Sequence, residues 1–456
     1  MENTVAIDVT ASKANQFTVP PCPQFERQEL QPVETFVVNA IAAKDSSKEY
    51  RVMLDSIRKP KDPPTLCKVL LALRGNTLHQ LTGNPKSHAQ LLHWLFRLDP
   101  FLNEKHDKLP DLYSLADAHF HLLLALVSAN TVFLQSGMTA LWRLLTTNAQ
   151  EAPAERTGRI HAALATMLRL VPKGNSELFP IIASSFPFRT RPKQELEWYS
   201  RQCLTALQYV PTLHAQMLEM LLDKCLEMDV EIKIGNGGQV SIDESNHSLD
   251  NAEEEMFELE LHNDTTRKPM EQDKVEEKVD EMADKLDSLM TILLEHIQAH
   301  SAKHGAHSMY RMVSPVFDSS ILTTHRSKFV QFVILFICGL EHNQFSENKP
   351  PHAPVAQLDR EFAAKLIDIV LDPYRATVTR QSGACYLASF ISRAKFVSPE
   401  TSCETISALL KWAEAYMQSD YSTRASDLRE QCDLHSLFYT VCQAAFYIIC
   451  FRGAES

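Results

Sequence analysis

Three helix tails stopped by proline, at spacings close to a fixed unit, constrain this chain more than any other feature. Leu95-Phe96-Arg97-Leu98-Asp99-Pro100, Met167-Leu168-Arg169-Leu170-Val171-Pro172 and Ala206-Leu207-Gln208-Tyr209-Val210-Pro211 share one pattern. Each is an apolar helix end followed by a residue that has no N–H to continue the ladder. The second and third prolines are 39 residues apart, and the first and second 72, roughly two shorter units. A period near 40 with two helices per unit is the signature of HEAT and armadillo repeats, which run about 40–47 residues. The expected fold is therefore all-α, a HEAT/armadillo-like α-solenoid of antiparallel helix hairpins, with an irregular helical bundle as the competing arrangement. A sheet full of tight turns would need more than the 12 glycines present in 456 residues.

One hairpin begins in the stretch Arg380 to Val397. Leu387, Phe390, Ile391 and Ala394 stand at i, i+3, i+4 and i+7, an apolar stripe of one helix. Arg380, Ser389, Arg393 and Lys395 fall mostly off it. Ser398-Pro399 then breaks the chain, and Thr401 with Glu404 has capping-box spacing for a second helix. Further helices are expected near 323–340, 355–371, 377–397, 400–417 and 433–451. Val275, Val279, Met282, Leu286, Leu289 and Leu293 step by 4, 3, 4, 3 and 4, the seam of one more helix.

The organisation expected is a loosely attached or disordered segment over 1–30, helical repeats over 31–230, an acidic disordered insertion over 231–270, further repeats over 271–452 and a tail at 453–456. Between Ser241 and Asp264 stand nine acidic residues and no Lys or Arg, against a formal net charge of -12 for the whole chain. The remainder is close to neutral, which argues against direct DNA binding through a basic field. The acidic run reads either as a solvating loop or as a regulatory one. In the second case Ser241, Ser245 and Ser248 are the phosphorylation candidates, since Ser241 precedes Asp243-Glu244 in an acid-directed kinase context.

Chemistry is harder to find. The sequence has no phosphate-binding Gly-x-x-x-x-Gly-Lys-Ser/Thr loop, no Gly-x-Ser-x-Gly elbow and no His-Glu-x-x-His pair, and Gly235 to Gly238 lacks the context of a phosphate loop. His296, His300 and His304, with His307 behind, could recruit a metal but read better as a solvated helix end. His119 and His121 flank Phe120 and read as unrelated core-edge residues. The ten cysteines include no Cys-x-x-Cys pair and fit a reduced compartment. The N-terminus has no secretory pattern, and the apolar run Phe329 to Leu340 is too short to span a bilayer. No enzyme, cofactor, metal or membrane partner is expected. Arg189, Arg191 and Lys193, after Phe186-Pro187-Phe188, read as a partner-binding corner or a solvated turn.

Several stretches carry a resemblance. Leu126 to Leu134, Phe186-Pro187-Phe188, Pro211-Thr212-Leu213 leading into Glu219 to Val230, and Asp284 to Met290 resemble the RNA polymerase I-specific transcription initiation factor family. The most specific match is Arg380-Gln381, Gly383, Tyr386, Ser389-Phe390 and Arg393-Ala394-Lys395-Phe396. Phe438-Tyr439, Cys442-Gln443-Ala444, Phe446-Tyr447 and Phe451-Arg452 close it. The matches are collinear over roughly 120–452.

The resemblance implies a HEAT-repeat factor without catalysis. Such a factor binds RNA polymerase I on its stalk side, meets promoter-bound initiation factors, is switched by kinases, and works in the nucleus and nucleolus. It also implies a serine-bearing polymerase face in the N-terminal half, with Ser128, Ser176, Ser184 and Ser185, together with Arg189 and Arg191, as candidates. A generic helical-repeat scaffold, such as a transport receptor or phosphatase scaffold, is the alternative. The chain stops at Ser456, short of the helical part with which the family continues. It is therefore expected to be a C-terminally truncated product that leaves its last apolar helix partly uncovered, with promoter-factor engagement the property most affected.

Overall fold

A computed structural model describes residues 17–43, 47–58, 62–75, 77–101, 109–147, 153–232, 281–324, 327–347, 358–418 and 428–453. Among them every regular element is helical. In chain order these are α1 (Arg27–Ala43), α2 (Lys48–Arg58), α3 (Pro63–Arg74), α4 (Leu78–Gly83), α5 (Ala89–Arg97), α6 (Leu109–Ala129), α7 (Leu134–Thr146), α8 (Ala154–Leu170) and α9 (Gly174–Ser184). Then come α10 (Lys193–Ala206), α11 (His214–Asp229), α12 (Glu281–His304), α13 (Ala306–Val316), α14 (Phe332–Glu347), α15 (Leu358–Leu371), α16 (Thr377–Arg393), α17 (Pro399–Met417) and α18 (Leu428–Arg452). The chain divides into two compact units, Met1–Met217 and Leu218–Ser456, so the division falls inside α11 rather than after residue 230. The acidic stretch with Ser241, Ser245 and Ser248, the glycines 235 to 238, and Val275 and Val279 lie outside the described residues.

In the first unit α3 packs on α6 and α1, while α8 packs on both α6 and α7. Of the three proline-stopped tails, only the one before Pro172 stays helical to within two residues of its proline. α5, α8 and α10 end at Arg97, Leu170 and Ala206, and Pro211 opens a single 3-10 turn, Pro211–Leu213, that leads into α11. The helices approach closely where side chains are small. A Cβ on Gly137 would lie 3.0 Å from Met167 Cε and 3.1 Å from Val127 Cγ2. One buried polar chain crosses this core: Trp142 Nε1 donates to Tyr199 Oη at 2.7 Å, and that hydroxyl donates to the Ile182 carbonyl at 2.6 Å.

α6 also holds the most membrane-like stretch, Leu112–Ala129, rather than 329–340. It is long and apolar enough to cross a bilayer, yet 67% of that window is buried in the unit, which makes it a core helix.

Two histidines of this unit are held neutral. His119, fully buried, donates from Nε2 to the Leu95 carbonyl at 2.8 Å, so it is a core residue and not a core-edge one. His161 lies between Gln202 Oε1 and the Tyr209 hydroxyl, each at 2.9 Å. Burial pushes both imidazoles down to about 4. A depressed histidine pKa means that the unfolded chain takes up the proton first. The stabilisation is therefore complete above about pH 6.5 and is lost as pH falls towards 4. Each histidine is worth about 3 kcal/mol over that interval. The urea midpoint of the first unit should fall steeply below pH 6.5, and His119→Gln should flatten part of that slope.

In the second unit α16 is the packing centre, with α15 and α18 both against it and α17 against α18. Leu387, Phe390, Ile391 and Ala394 are buried as their stripe requires, but so are Gln381, Gly383, Ala384, Cys385, Tyr386, Ala388 and Ser389. The single-stripe reading is corrected here, because neighbours cover the helix on more than one side. Its partner α17 starts at Pro399 as expected. The cap, however, is Ser398, whose hydroxyl accepts from Thr401 N at 3.1 Å. Thr401 sits inside the helix, so the expected Thr401–Glu404 box is not the device used.

The helix expected over 323–340 begins later, at Phe332. The reason is a buried carboxylate. Asp229 Oδ2, at the end of α11, accepts from Ser327 Oγ at 2.8 Å and from the amides of Lys328, Phe329 and Val330 at 2.8, 3.0 and 3.2 Å. Those amides open the turn before α14, and the carboxylate takes the role of an N-terminal cap supplied from another helix. Lys328 Nζ closes the same clasp on the Ile232 carbonyl at 3.0 Å.

Candidate interaction surface

The serine candidates of the first unit are all exposed, at helix ends. Ser128 ends α6, next to Val127, which packs on Gly137 of α7. Ser176 lies in the first turn of α9, two residues after Gly174, where a Cβ would lie 3.5 Å from both Leu134 and Met138 of α7. Each serine is thus within two residues of a position packed on α7. Ser184 and Ser185 are at the far end of α9, roughly 12 Å along its axis from Ser176 at 1.5 Å per residue.

From there the chain turns through Phe186-Pro187-Phe188. The Phe186 ring meets the buried Tyr199 edge-on at 4.9 Å and fixes the corner. Phe188 is 60% exposed, with the Arg189 guanidinium 5.2 Å from its centroid. Arg191 holds Glu195 with Nε at 2.9 Å and Nη2 at 3.0 Å, and Lys193 faces Glu197 at 4.0 Å. The corner is therefore a serine-edged surface with an exposed aromatic under a guanidinium, rather than an unbroken basic patch.

The family-motif residues of α16 do something else. Arg380 donates from Nε to the Val370 carbonyl at 2.8 Å and lies 5.6 Å from the Trp412 ring. Gln381 Nε2 reaches Thr440 Oγ1 at 3.5 Å, and Tyr386 Oη donates to the Ile321 carbonyl at 3.1 Å. Gly383 is where α15 comes closest, since a Cβ there would be 2.9 Å from Ile369 Cγ2. Phe390 meets Phe362 edge-on at 5.0 Å. Arg452 of α18 is buried and donates from Nη2 to the Val397 and Ala394 carbonyls at 2.6 and 3.3 Å, closing the C-terminal end of α16. Most of this motif is packing.

Its exposed members, Arg393 and Lys395, border a groove of about 370 Å³ floored by Phe332, Phe336, Leu340 and Phe396. Nearby, α18 leaves Tyr439, Phe446, Ile449 and Phe451 between 40% and 62% exposed.

The histidine row does not behave as a solvated helix end throughout. His300 and His304 lie 4.5 Å apart, and burial, followed by His300 and Lys303, pushes His296 down to about 4. His307 faces the buried Glu341 at 3.1 Å. Among the described residues no group of three or more His, Cys, Asp or Glu is placed to hold a metal.

The family model described as RNA polymerase I specific transcription initiation factor RRN3 matches residues 26–455. The chain belongs to that family. It is 28% identical over 318 residues to the RNA polymerase I-specific transcription initiation factor RRN3 of Mus musculus, covering 65% of this chain and 44% of the relative. It is 25% identical over 317 residues to the corresponding rrn3 of Schizosaccharomyces pombe (strain 972 / ATCC 24843), covering 65% and 49%. The chain thus matches about half the length of these curated relatives. A crystal structure of RNA polymerase I transcription initiation factor Rrn3 superposes with a TM-score of 0.65 at 20% identity, over 93% of this chain and 77% of that one. The likeness carries the all-α, solenoid-like fold of the RRN3 family.

Proposed function

We propose that this chain is an RNA polymerase I initiation factor that binds the polymerase and helps recruit it to the ribosomal DNA promoter through promoter-bound factors. It does so by protein–protein contacts and without catalysis. The family match over residues 26–455, which runs through both units, carries this reading. The polymerase face is the serine-edged surface of the first unit, from Ser128 and Ser176 to Ser184, Ser185, Arg189 and Arg191, meeting the stalk side of the enzyme. Kinases regulate it there and at Ser241, Ser245 and Ser248, since a phosphate adds nearly two negative charges. The site of action is the nucleus, and within it the nucleolus.

The test is co-sedimentation of the purified chain with purified RNA polymerase I. The wild-type chain should be retained, and Ser184→Asp/Ser185→Asp with Arg189→Glu should weaken retention on the order of tenfold or more, with a shallower salt dependence because an attractive charge is lost. Retention unchanged by these substitutions would move the polymerase face elsewhere. No retention of a chain folded by circular dichroism would remove polymerase binding from its function.

A further inference from the structure

Residues 17–25, expected to be loosely attached, instead form a strap across the first unit. Pro20, Pro21 and Pro23 have φ fixed near -65°, and Val19, Pro20 and Cys22 each precede a proline, which confines them to extended backbone. Their burial has a period of three. Thr18, Pro21 and Gln24 are exposed, whereas Phe17, Val19, Pro20, Cys22, Pro23 and Phe25 are partly buried. Three residues per turn is the repeat of the polyproline II helix, which has no internal hydrogen bonds and leaves its carbonyls to outside donors.

The body supplies those donors. Arg169 Nη2 of α8 donates to the Phe17 carbonyl at 3.1 Å, and His121 Nε2 of α6 donates to the Pro20 carbonyl at 2.9 Å, three residues further on. Arg74 Nη1 of α3 reaches Cys22 Sγ at 2.9 Å. The Phe17 ring is the anchor, edge-on to Tyr209 at 5.2 Å and to His161 at 6.2 Å, and the hydrogen bond between those two residues holds the anchor site in shape. An aromatic anchor site beside side-chain donors that meet carbonyls three residues apart suits an extended, proline-bracketed peptide, whose own backbone leaves those carbonyls free. The strap is only partly buried, and no hydrogen-bonded ladder of its own ties it down.

We propose that this groove across α3, α6 and α8 is a receptor for polyproline II peptides, that residues 17–25 are its resident ligand, and that a partner protein's proline-bracketed segment with an aromatic anchor displaces them. The proposal does not rest on the polymerase reading. A ligand tethered in cis masks its site by the ratio of its effective concentration, millimolar for a short connection, to its own Kd. For a peptide that binds at about 100 µM the masking is about tenfold.

The probe is a fluorescein-labelled synthetic peptide of residues 14–26, titrated by anisotropy into the full chain. Phe17→Ala, which loosens the strap, should bind it about tenfold more tightly than the wild type. Adding Arg169→Ala, an exposed side chain, should take that gain away, and a peptide lacking its phenylalanine anchor should not bind. Pro20→Ala/Pro21→Ala gives a second way to loosen the strap without touching the anchor. Equal affinity for wild-type and loosened chains, no binding to a loosened chain folded by circular dichroism, or binding indifferent to Arg169→Ala would each overturn the proposal.

Discussion

Asp229→Ala should destabilise the second unit by roughly 3–5 kcal/mol, because it leaves a set of buried donors without their acceptor. Asp229 is fully buried, and one of its oxygens accepts from Ser327 Oγ and from three successive amides. Each donor left unsatisfied in a dry site costs about 1–3 kcal/mol, and the turn can recover part of that by opening to water. The opening should be visible before global unfolding. Hydrogen exchange at Lys328, Phe329 and Val330 should accelerate by orders of magnitude while α16 stays protected. Asp229→Asn keeps an acceptor of nearly the same shape and should lose about half as much, since bonds to a charged acceptor are the stronger kind. An Asp229→Ala chain with unchanged protection at those amides would mean that the clasp does not hold the turn.

Phe390→Ala is the second large effect, a loss of about 3–5 kcal/mol from the same unit. The ring is fully buried, edge-on to Phe362 at 5.0 Å and 6.3 Å from Phe396. Phe362 in turn meets Phe317 at 5.1 Å. Truncation removes the transfer energy of the ring and the aromatic contacts, and leaves a void between helices that cannot close up. Urea unfolding checks this through Trp412, the one tryptophan of the second unit, labelled as fluorotryptophan and followed by NMR. Lys395→Ala, five residues on and exposed, should stay within about 0.5 kcal/mol. The pair separates two roles within one motif. If Phe390→Ala left the midpoint in place, the motif would have to be read as a contact surface rather than as packing.

The local parts of this molecule were legible in the sequence. Prolines at 100, 172 and 211 mark breaks between helices, because a missing N–H and a fixed φ keep a helix from running through them whatever surrounds them. The apolar repeat through Leu286, Leu289 and Leu293 gave a helix for the same reason: periodicity of 3.6 is a property of the segment. The family motif gave the lineage but not the roles of its members. Sequence spacing does not say that Arg380 lies by Trp412 while Lys395 stays exposed.

Burial and partnering were decided elsewhere. α16 is covered on more than one side because α15 and α18 both pack on it, and no window of 17 residues contains that information. The start of α14 was misplaced because its cap, Asp229, lies 98 residues before Ser327. The N-terminal strap was missed because its donors are further still, with His121 101 residues beyond Pro20 and Arg169 152 beyond Phe17. Proline content announced an extended backbone there, but extended backbone reads as loose attachment until donors are seen to meet its carbonyls. Sequence alone therefore determined an all-α chain of proline-punctuated helices and its family. Tertiary structure decided which carboxylate caps which helix, which motif residues are core, and where the strap lies, because hydrogen bonds and packing act through space across separations that local periodicity does not register.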